Sequence, residues 1–175
     1  MTDITCCITG HRPQSLPWGF CEGDARCAAM RAELGRTIAG LYERGYRRFI
    51  TGMALGVDMI FAETVLEELP PDGVLLAAAV PFPGQPDRWP AQEQARYRAI
   101  LERCGEVHTL SPEYITGCMQ ARNRWMVGQS GVVIAVWNGQ MRGGTYGTLR
   151  YARDRGREVL IVPTEAVPTP RLDGP

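Results

Sequence analysis

The sequence predicts a single α/β domain whose mainly parallel sheet lies between two layers of helices. Six short apolar runs alternate with segments of helical periodicity, the pattern of repeated βα units. The runs are near-continuously apolar rather than alternating, which suits strands covered on both faces. The chain has no internal repeat and no compositional break that would start a second domain.

Each element follows from local chemistry. ITCCITG (4–10) is rich in β-branched residues and Cys and stops at Gly10, so it reads as a buried strand. Asp24 is a natural N-cap for a helix carrying Cys27, Met30, Leu34, Ile38 and Leu41 on one face, with Gly45 placed to end it. RRFITG (47–52) is the second strand. Residues 57–69 form a broadly buried helix stopped by Pro70 and Pro71. VLLAAAVPFPG (74–84) is a third strand running into a proline-rich loop, followed by a more polar helix from about Pro90 to Arg103. EVHTL (106–110) is a short strand, Met119 to Gly128 a helix, and GVVIAVWNG (131–139) the most strand-like run of all. Thr145 to Arg155 is the last helix and EVLIVP (158–163) the last strand. The remainder, 164–175, has no apolar period and is expected to be a Pro-rich mobile tail.

Composition bounds the function. At 175 residues, 45% of them hydrophobic and 22% charged, the chain is long enough to bury a sizeable core. Its 19 basic residues balance 19 acidic ones, so net charge supplies no field for holding nucleic acid or an acidic membrane. Every basic residue is Arg. The absence of Lys excludes a Walker-type phosphate lysine, a Schiff-base lysine and a lysine general base. Anions must be held by guanidinium or backbone N–H groups. Six Cys without C-x-x-C spacing, and only His11 and His108 beside them, argue against a metal site. The N-terminus carries no basic-then-apolar leader pattern, and no apolar run approaches the length of a membrane span. Reduced thiols in the cytoplasm are the expected state.

Right-handed crossovers place the C-terminal ends of parallel strands on one edge, where open α/β sheets bind ligands. The chain carries GHRP there after the first strand, GMALGVD after the second, PFPG after the third and NGQMRGGTYGT after the fifth. In GMALGVD, Gly52 and Gly56 allow close backbone approach before a helix whose first turn holds Asp58. Asp58 either complements the helix dipole, which would hold its carboxylate ionised, or contacts a ligand hydroxyl or acts in catalysis. Gly143, Gly144 and Gly147, with Thr145 and Thr148, can wrap a phosphate without lysine. A plain glycine-rich turn has the same composition, and the spacing is neither G-x-G-x-x-G nor the P-loop. In GHRP, Gly10 permits close approach and Arg12 can reach an anion. His11 either titrates near neutral pH or serves as a hydrogen-bonded structural group. Pro81 and Phe82 of the third loop, and Asn123 of QARNRWMVGQS, complete the ligand-binding candidates. Trp18, Phe82 and Trp89 in Pro-rich loops either stack on a base or plug the local core.

Taken together, TGHRPQ, TGMALGVDMIFAE, VPFPGQPDRW, RNRWMVGQSGVVIAVWNG and GGTYGT, in that order from about residue 4 to 163, resemble the YpsA-like branch of the SLOG superfamily. That superfamily is named for the DNA-processing protein DprA (Smf) and the LOG nucleotide hydrolases. The resemblance implies a Rossmann-like three-layer sandwich over residues 1–163, with glycine loops that bind nucleotides or nucleotide-derived molecules. GMALGVD resembles the DprA-type glycine motif, and Gly143, Gly144, Gly147 and Thr148 match the LOG phosphate loop. Two positions depart from it. Arg142 replaces a proline, and Tyr151 stands where LOG enzymes place their catalytic Glu. A tyrosine offers no carboxylate at neutral pH, so hydrolysis would fall to Asp58 or Glu63.

Three functions compete on this reading. Binding or sensing of a nucleotide-derived ligand, of phosphoribose or ADP-ribose type, needs only the glycine loops, Arg12 and a hydroxyl partner. An N-glycosidase or phosphoribohydrolase needs Asp58 or Glu63 as its carboxylate. DprA-like binding of single-stranded DNA usually needs a positive groove, and zero net charge without Lys counts against nucleic acid as a partner. The first is the leading expectation, with no cofactor, no metal and no membrane. A homodimer or larger assembly is also expected, because Met119, Trp125 and Met126 make their helix more apolar than a lone surface helix needs, and the resemblance points the same way.

Overall fold

The computed structural model describes residues 4–165. Six strands, β1 (Thr5–Gly10), β2 (Arg48–Thr51), β3 (Leu75–Val80), β4 (Glu106–Thr109), β5 (Val132–Trp137) and β6 (Glu158–Pro163), form one sheet in the order β4-β3-β2-β1-β5-β6. Every pairing is parallel. Five helices alternate with them: α1 (Ala25–Glu43), α2 (Val57–Glu68), α3 (Ala91–Arg103), α4 (Cys118–Gln129) and α5 (Gly143–Asp154). Right-handed crossovers fix the face each helix takes. From β1 outward to β4 they set α1, α2 and α3 side by side on one face. The return across β1 to β5 and on to β6 sets α4 and α5 on the other. The result is the three-layer α/β sandwich that the alternation of elements predicts.

β1 is flanked by β2 and β5 and covered on both faces, so Thr5 through Thr9 are all buried. Edge strand β4 behaves differently. Its Val107 is exposed, whereas Glu106 pairs with Arg48 and His108 packs on Trp125 with ring centres 4.8 Å apart. The Asp24 carboxylate accepts the Arg26 N–H at 2.8 Å and starts α1, and Gly45, at φ +97°, follows its end. The buried stripe Cys27, Met30, Leu34, Ile38 and Leu41 faces the sheet side. Burying a side chain such as Leu34 contributes about 1.5–3 kcal/mol, and Leu34→Ala would cost about 2–5 kcal/mol once the cavity is counted. α2 is buried around most of its circumference, since α1 and α3 flank it and the sheet lies beneath.

Ion pairs lock the three helices of that face together. Arg96 of α3 reaches Glu63 of α2 and, at 2.6 Å, Glu22 of the segment before α1, and Glu22 also pairs with Arg31 of α1. All six cysteines are free thiols. Among the described residues no helix is long and apolar enough to cross a membrane. Most of the tail read as mobile, residues 166–175, lies outside the described residues, while Thr164 is buried.

Candidate functional site

Strand order reverses at β1, whose neighbours β2 and β5 lead away in opposite directions. Their loops diverge there, leaving a crevice at the carboxyl edge. A cleft of about 1520 Å³ opens at this point. Gly10, His11 and Arg12 enter it from β1, Asp58 from α2, Arg122 and Asn123 from α4, Asn138 from the end of β5, and Gly143, Gly144, Thr145, Gly147 and Thr148 from α5. The glycine loops at the starts of α2 and α5 therefore share one edge.

The two loops use glycine for different ends. A Cβ on Gly10 would overlap the side chain of Val57, and one on Gly56 would sit 2.6 Å from the His11 carbonyl. The Val57 N–H donates to that same carbonyl at 3.2 Å. Gly10 and Gly56 thus let the first two loops interlock, and the start of α2 is closed off by protein. Met53 between them takes a left-handed φ of +57° with its side chain fully buried. The start of α5 is open. Cβ atoms on Gly143, Gly144 or Gly147 would meet nothing within 4 Å, and the helix has no side-chain cap. Unpaired N–H groups and a positive dipole end face the cleft there.

His11 holds the two sides of the cleft together. Its Nε2 accepts the Asn138 backbone N–H at 3.1 Å, which puts the proton on Nδ1, 3.5 Å from Thr145 Oγ1. Burial lowers its pKa and favours this neutral form. Of the two readings of a lone histidine, the contacts supply the structural one.

At the floor sits a buried pair, Asp58 and Arg122. The Arg122 guanidinium donates to the Gly52 carbonyl and, through Nε, to Asn123 Oδ1 at 2.8 Å. Asp58 accepts the Ala54 N–H at 3.2 Å. Burial raises the pKa of Asp58, against the opposing pull of Arg122, the Ala54 amide and Arg12, so the helix dipole is not the main influence on this carboxyl. Burial likewise lowers the pKa of Arg122, with Asp58 acting to restore it.

Arg122 is the residue that sequence reasoning passed over. The signal was there: Cys118, Arg122 and Met126 recur at four-residue spacing, an arginine within a buried stripe. Other candidates are not brought to the cleft. Gly52 lies behind it, where a Cβ would come within 2.7 Å of Arg122 Nη1 and 2.8 Å of Asp58 Oδ2. Pro81 and Phe82 do not line it, and Phe82 packs edge-on against Tyr114 with ring centres 5.5 Å apart. Their loop contributes instead through Gln85, which donates to the Gly52 carbonyl at 3.3 Å. Glu63 is held in the Arg96 ion pair on the helical face. On α4, Met126 is buried, Trp125 is partly buried against His108, and Met119 is partly buried at the cleft. Among the described residues no group of three His, Cys, Asp or Glu side chains is placed to hold a metal ion.

Charge is segregated around this cleft. Residues 118–157, which form α4, β5 and α5, contain seven Arg and a single carboxylate, Asp154. Tyr151 lines the cleft between two of these arginines, Arg124 at 5.5 Å and Arg155 at 5.6 Å from its ring centre.

The YspA SLOG family model matches residues 6–159, and the chain belongs to that family. A UPF0398 protein of Oceanobacillus iheyensis is 24% identical over 148 residues, spanning 82% of this chain and 80% of its own. The SPbeta prophage-derived protein YoqJ of Bacillus subtilis is 29% identical over 120 residues, spanning 61% of this chain and 69% of its own. The fold is shared with DNA processing protein A of Streptococcus pneumoniae (TM-score 0.61, 21% identity) and with that of Helicobacter pylori (TM-score 0.60, 20% identity), the latter known for its single-stranded DNA binding mode. The matches cover 97% and 91% of this chain but only 52% and 65% of those proteins. The expectation that zero net charge counts against nucleic acid is corrected by this likeness. A protein of the same fold binds single-stranded DNA, and a zero sum conceals a strongly basic face.

Proposed function

We propose that this member of the YspA SLOG family binds a phosphate-bearing nucleotide in the cleft between the ends of β1 and β5. One observation carries the reading: the uncapped, glycine-built start of α5 opens onto that cleft. Such a terminus offers N–H donors and a favourable dipole to a phosphate. Arg12 and Arg142 at the walls supply guanidinium groups to a chain without Lys. Asp58, Asn123 and Asn138 lie within the same cleft and suit the hydroxyls of a ribose. A phosphoribose or ADP-ribose compound fits this arrangement, and Asp58 acts as a holding group rather than a base. Six free thiols suit a reducing compartment such as the cytoplasm.

Thermal unfolding with a panel of nucleotides, dinucleotides and ADP-ribose compounds tests the reading. A ligand at 100 times its Kd adds about 2.7 kcal/mol of stability, a readable melting shift. Gly144→Val should abolish the shift and leave the unliganded melting temperature unchanged, because the new side chain enters open space. If no compound moves the wild type, the reading fails.

A second reading, hydrolysis of an N-glycosidic bond, draws on Asp58 as a buried carboxyl at the cleft floor. Glu63, engaged with Arg96, takes no part in it.

A further inference from the structure

We propose that the surface formed by α4 and α5 is a track for single-stranded nucleic acid that leads away from the cleft. The strand's point of entry rests on the nucleotide reading above; the track itself rests on charge and ring placement.

The first observation is that this face keeps its exposed arginines free of carboxylates. On the opposite side, Arg26, Arg31, Arg36, Arg44, Arg48 and Arg96 are ion-paired, while among the described residues Arg47, Arg88, Arg98 and Arg103 have no carboxylate within 4.0 Å; the difference lies in the carboxylates interspersed there. Among the described residues, none of the seven arginines between 118 and 157 has a carboxylate within 4.0 Å, and Arg124, Arg142, Arg150, Arg153 and Arg155 are exposed. Guanidinium groups left unpaired on one side of a neutral protein form a local polyanion site.

The second observation is the rings set among them. Tyr151 lies beside Arg124 and Arg155. Tyr146 stacks on Trp137 with ring centres 5.8 Å apart and planes 14° from parallel, and Arg150 stands 5.8 Å from the Tyr146 ring centre. Trp137, Tyr151 and Arg124 line the cleft, so the aromatic and basic surface is continuous with it. These rings are partly buried, and a guanidinium at the open face of such a ring is held more weakly than a stacked base. An incoming base can therefore take the ring face while the displaced guanidinium turns to a phosphate. A duplex buries its base faces in its own stack and cannot use these rings, which favours a single strand.

The test uses the whole chain and a fluorescent single strand longer than the roughly 16 nucleotides of one extended site, with its duplex and vesicles of anionic phospholipid as competitors. Wild type should bind the single strand with an affinity that falls as salt rises. The variant R150Q/R153Q/R155Q should bind at least tenfold more weakly. Its salt slope should shrink by about 2, each phosphate contact in a single strand being worth about 0.7. The variant R26Q/R36Q/R44Q removes the same charge from exposed, paired positions and should bind as wild type does. Melting temperatures verify that both variants fold. Equal strand binding by the two variants, or stronger binding to duplex or vesicles, overturns the track while leaving the cleft reading untouched. A wild type that binds strands but shows no melting shift with any free nucleotide overturns the cleft reading and leaves the track standing.

Discussion

His11 Nε2 accepts the backbone N–H of Asn138 at 3.1 Å and so ties the end of β1 to the end of β5. The bond requires a neutral ring, and burial lowers the histidine pKa accordingly. A histidine whose folded pKa lies below its unfolded value stabilises the fold at pH values above the unfolded one, about 6.5. As pH falls through that value the unfolded chain takes up a proton that the folded chain refuses, and the contribution is lost. His11→Ala should cost about 0.5–1.5 kcal/mol at pH 8, the net range for one hydrogen bond at a part-buried site, and progressively less towards pH 5. Urea unfolding of both proteins across that range checks this; a difference that grows on acidification would reject the acceptor role.

The glycines divide into two testable groups. Gly52→Ala forces a methyl between Arg122 and Asp58, so it should destabilise by about 1–3 kcal/mol and weaken ligand binding together with the fold. Gly144→Ala meets open space and should leave unliganded stability within about 0.5 kcal/mol of wild type, the usual range for surface substitutions. Calorimetry of the two variants, each with and without ligand, distinguishes fold-building from ligand-facing glycine. Equal losses of stability would sink the distinction.

Base removal from a nucleotide passes through a cation-like sugar and needs an anion nearby with a positioned water. Tyr151 supplies none, and Asp58 is buried beside Arg122 with a raised pKa. Base release by wild type should therefore be slow or absent, while Asp58→Asn loses affinity. Chromatography of the released base, for wild type, Asp58→Asn and Tyr151→Glu, decides the matter. Fast wild-type turnover that vanishes in Asp58→Asn at unchanged affinity would make the protein an enzyme.

Thiol reactivity should follow burial. Cys21 is exposed, whereas Cys6, Cys7 and Cys27 are almost wholly buried, and burial pushes the Cys7 thiol up to about 12. Under native conditions a maleimide should modify Cys21 first and spare those three until the protein unfolds. Mass spectrometry of the early adducts checks this; rapid labelling of Cys7 would contradict the packing around β1.

Elements were legible wherever one local rule sufficed. The capping role of Asp24, the stop at Pro70 and the run 158–163 all follow from neighbours in sequence, and the structure sets them where the pattern does. The site was legible only in outline. GMALGVD and GGTYGT look equally suited to a phosphate, and what separates them is Val57 packing on Gly10, a contact between segments nearly fifty residues apart. Arg122 was hidden for the opposite reason: charge reads as surface until the helix face it shares with Cys118 and Met126 is known to be buried. The basic face was present in the composition and lost only by adding it to the acidic remainder.

The parallel seam between β1 and β5 also bears on how the chain folds. Cys6 pairs with Val132 and Gly10 with Val136, whereas β2 and β3 pair Arg48 with Leu75, much closer in sequence. Closing so long a loop is entropically costly, and chains rich in such distant pairings fold slowly. The half-sheet β2-β3-β4 can assemble while the partner of β1 is still being found. The cleft, built astride the seam, is then among the last features to form, and a ligand that bridges its two sides would act on the final step of folding. Pulse-labelled hydrogen exchange during refolding should show the amides of Val132–Val136 protected after those of β3.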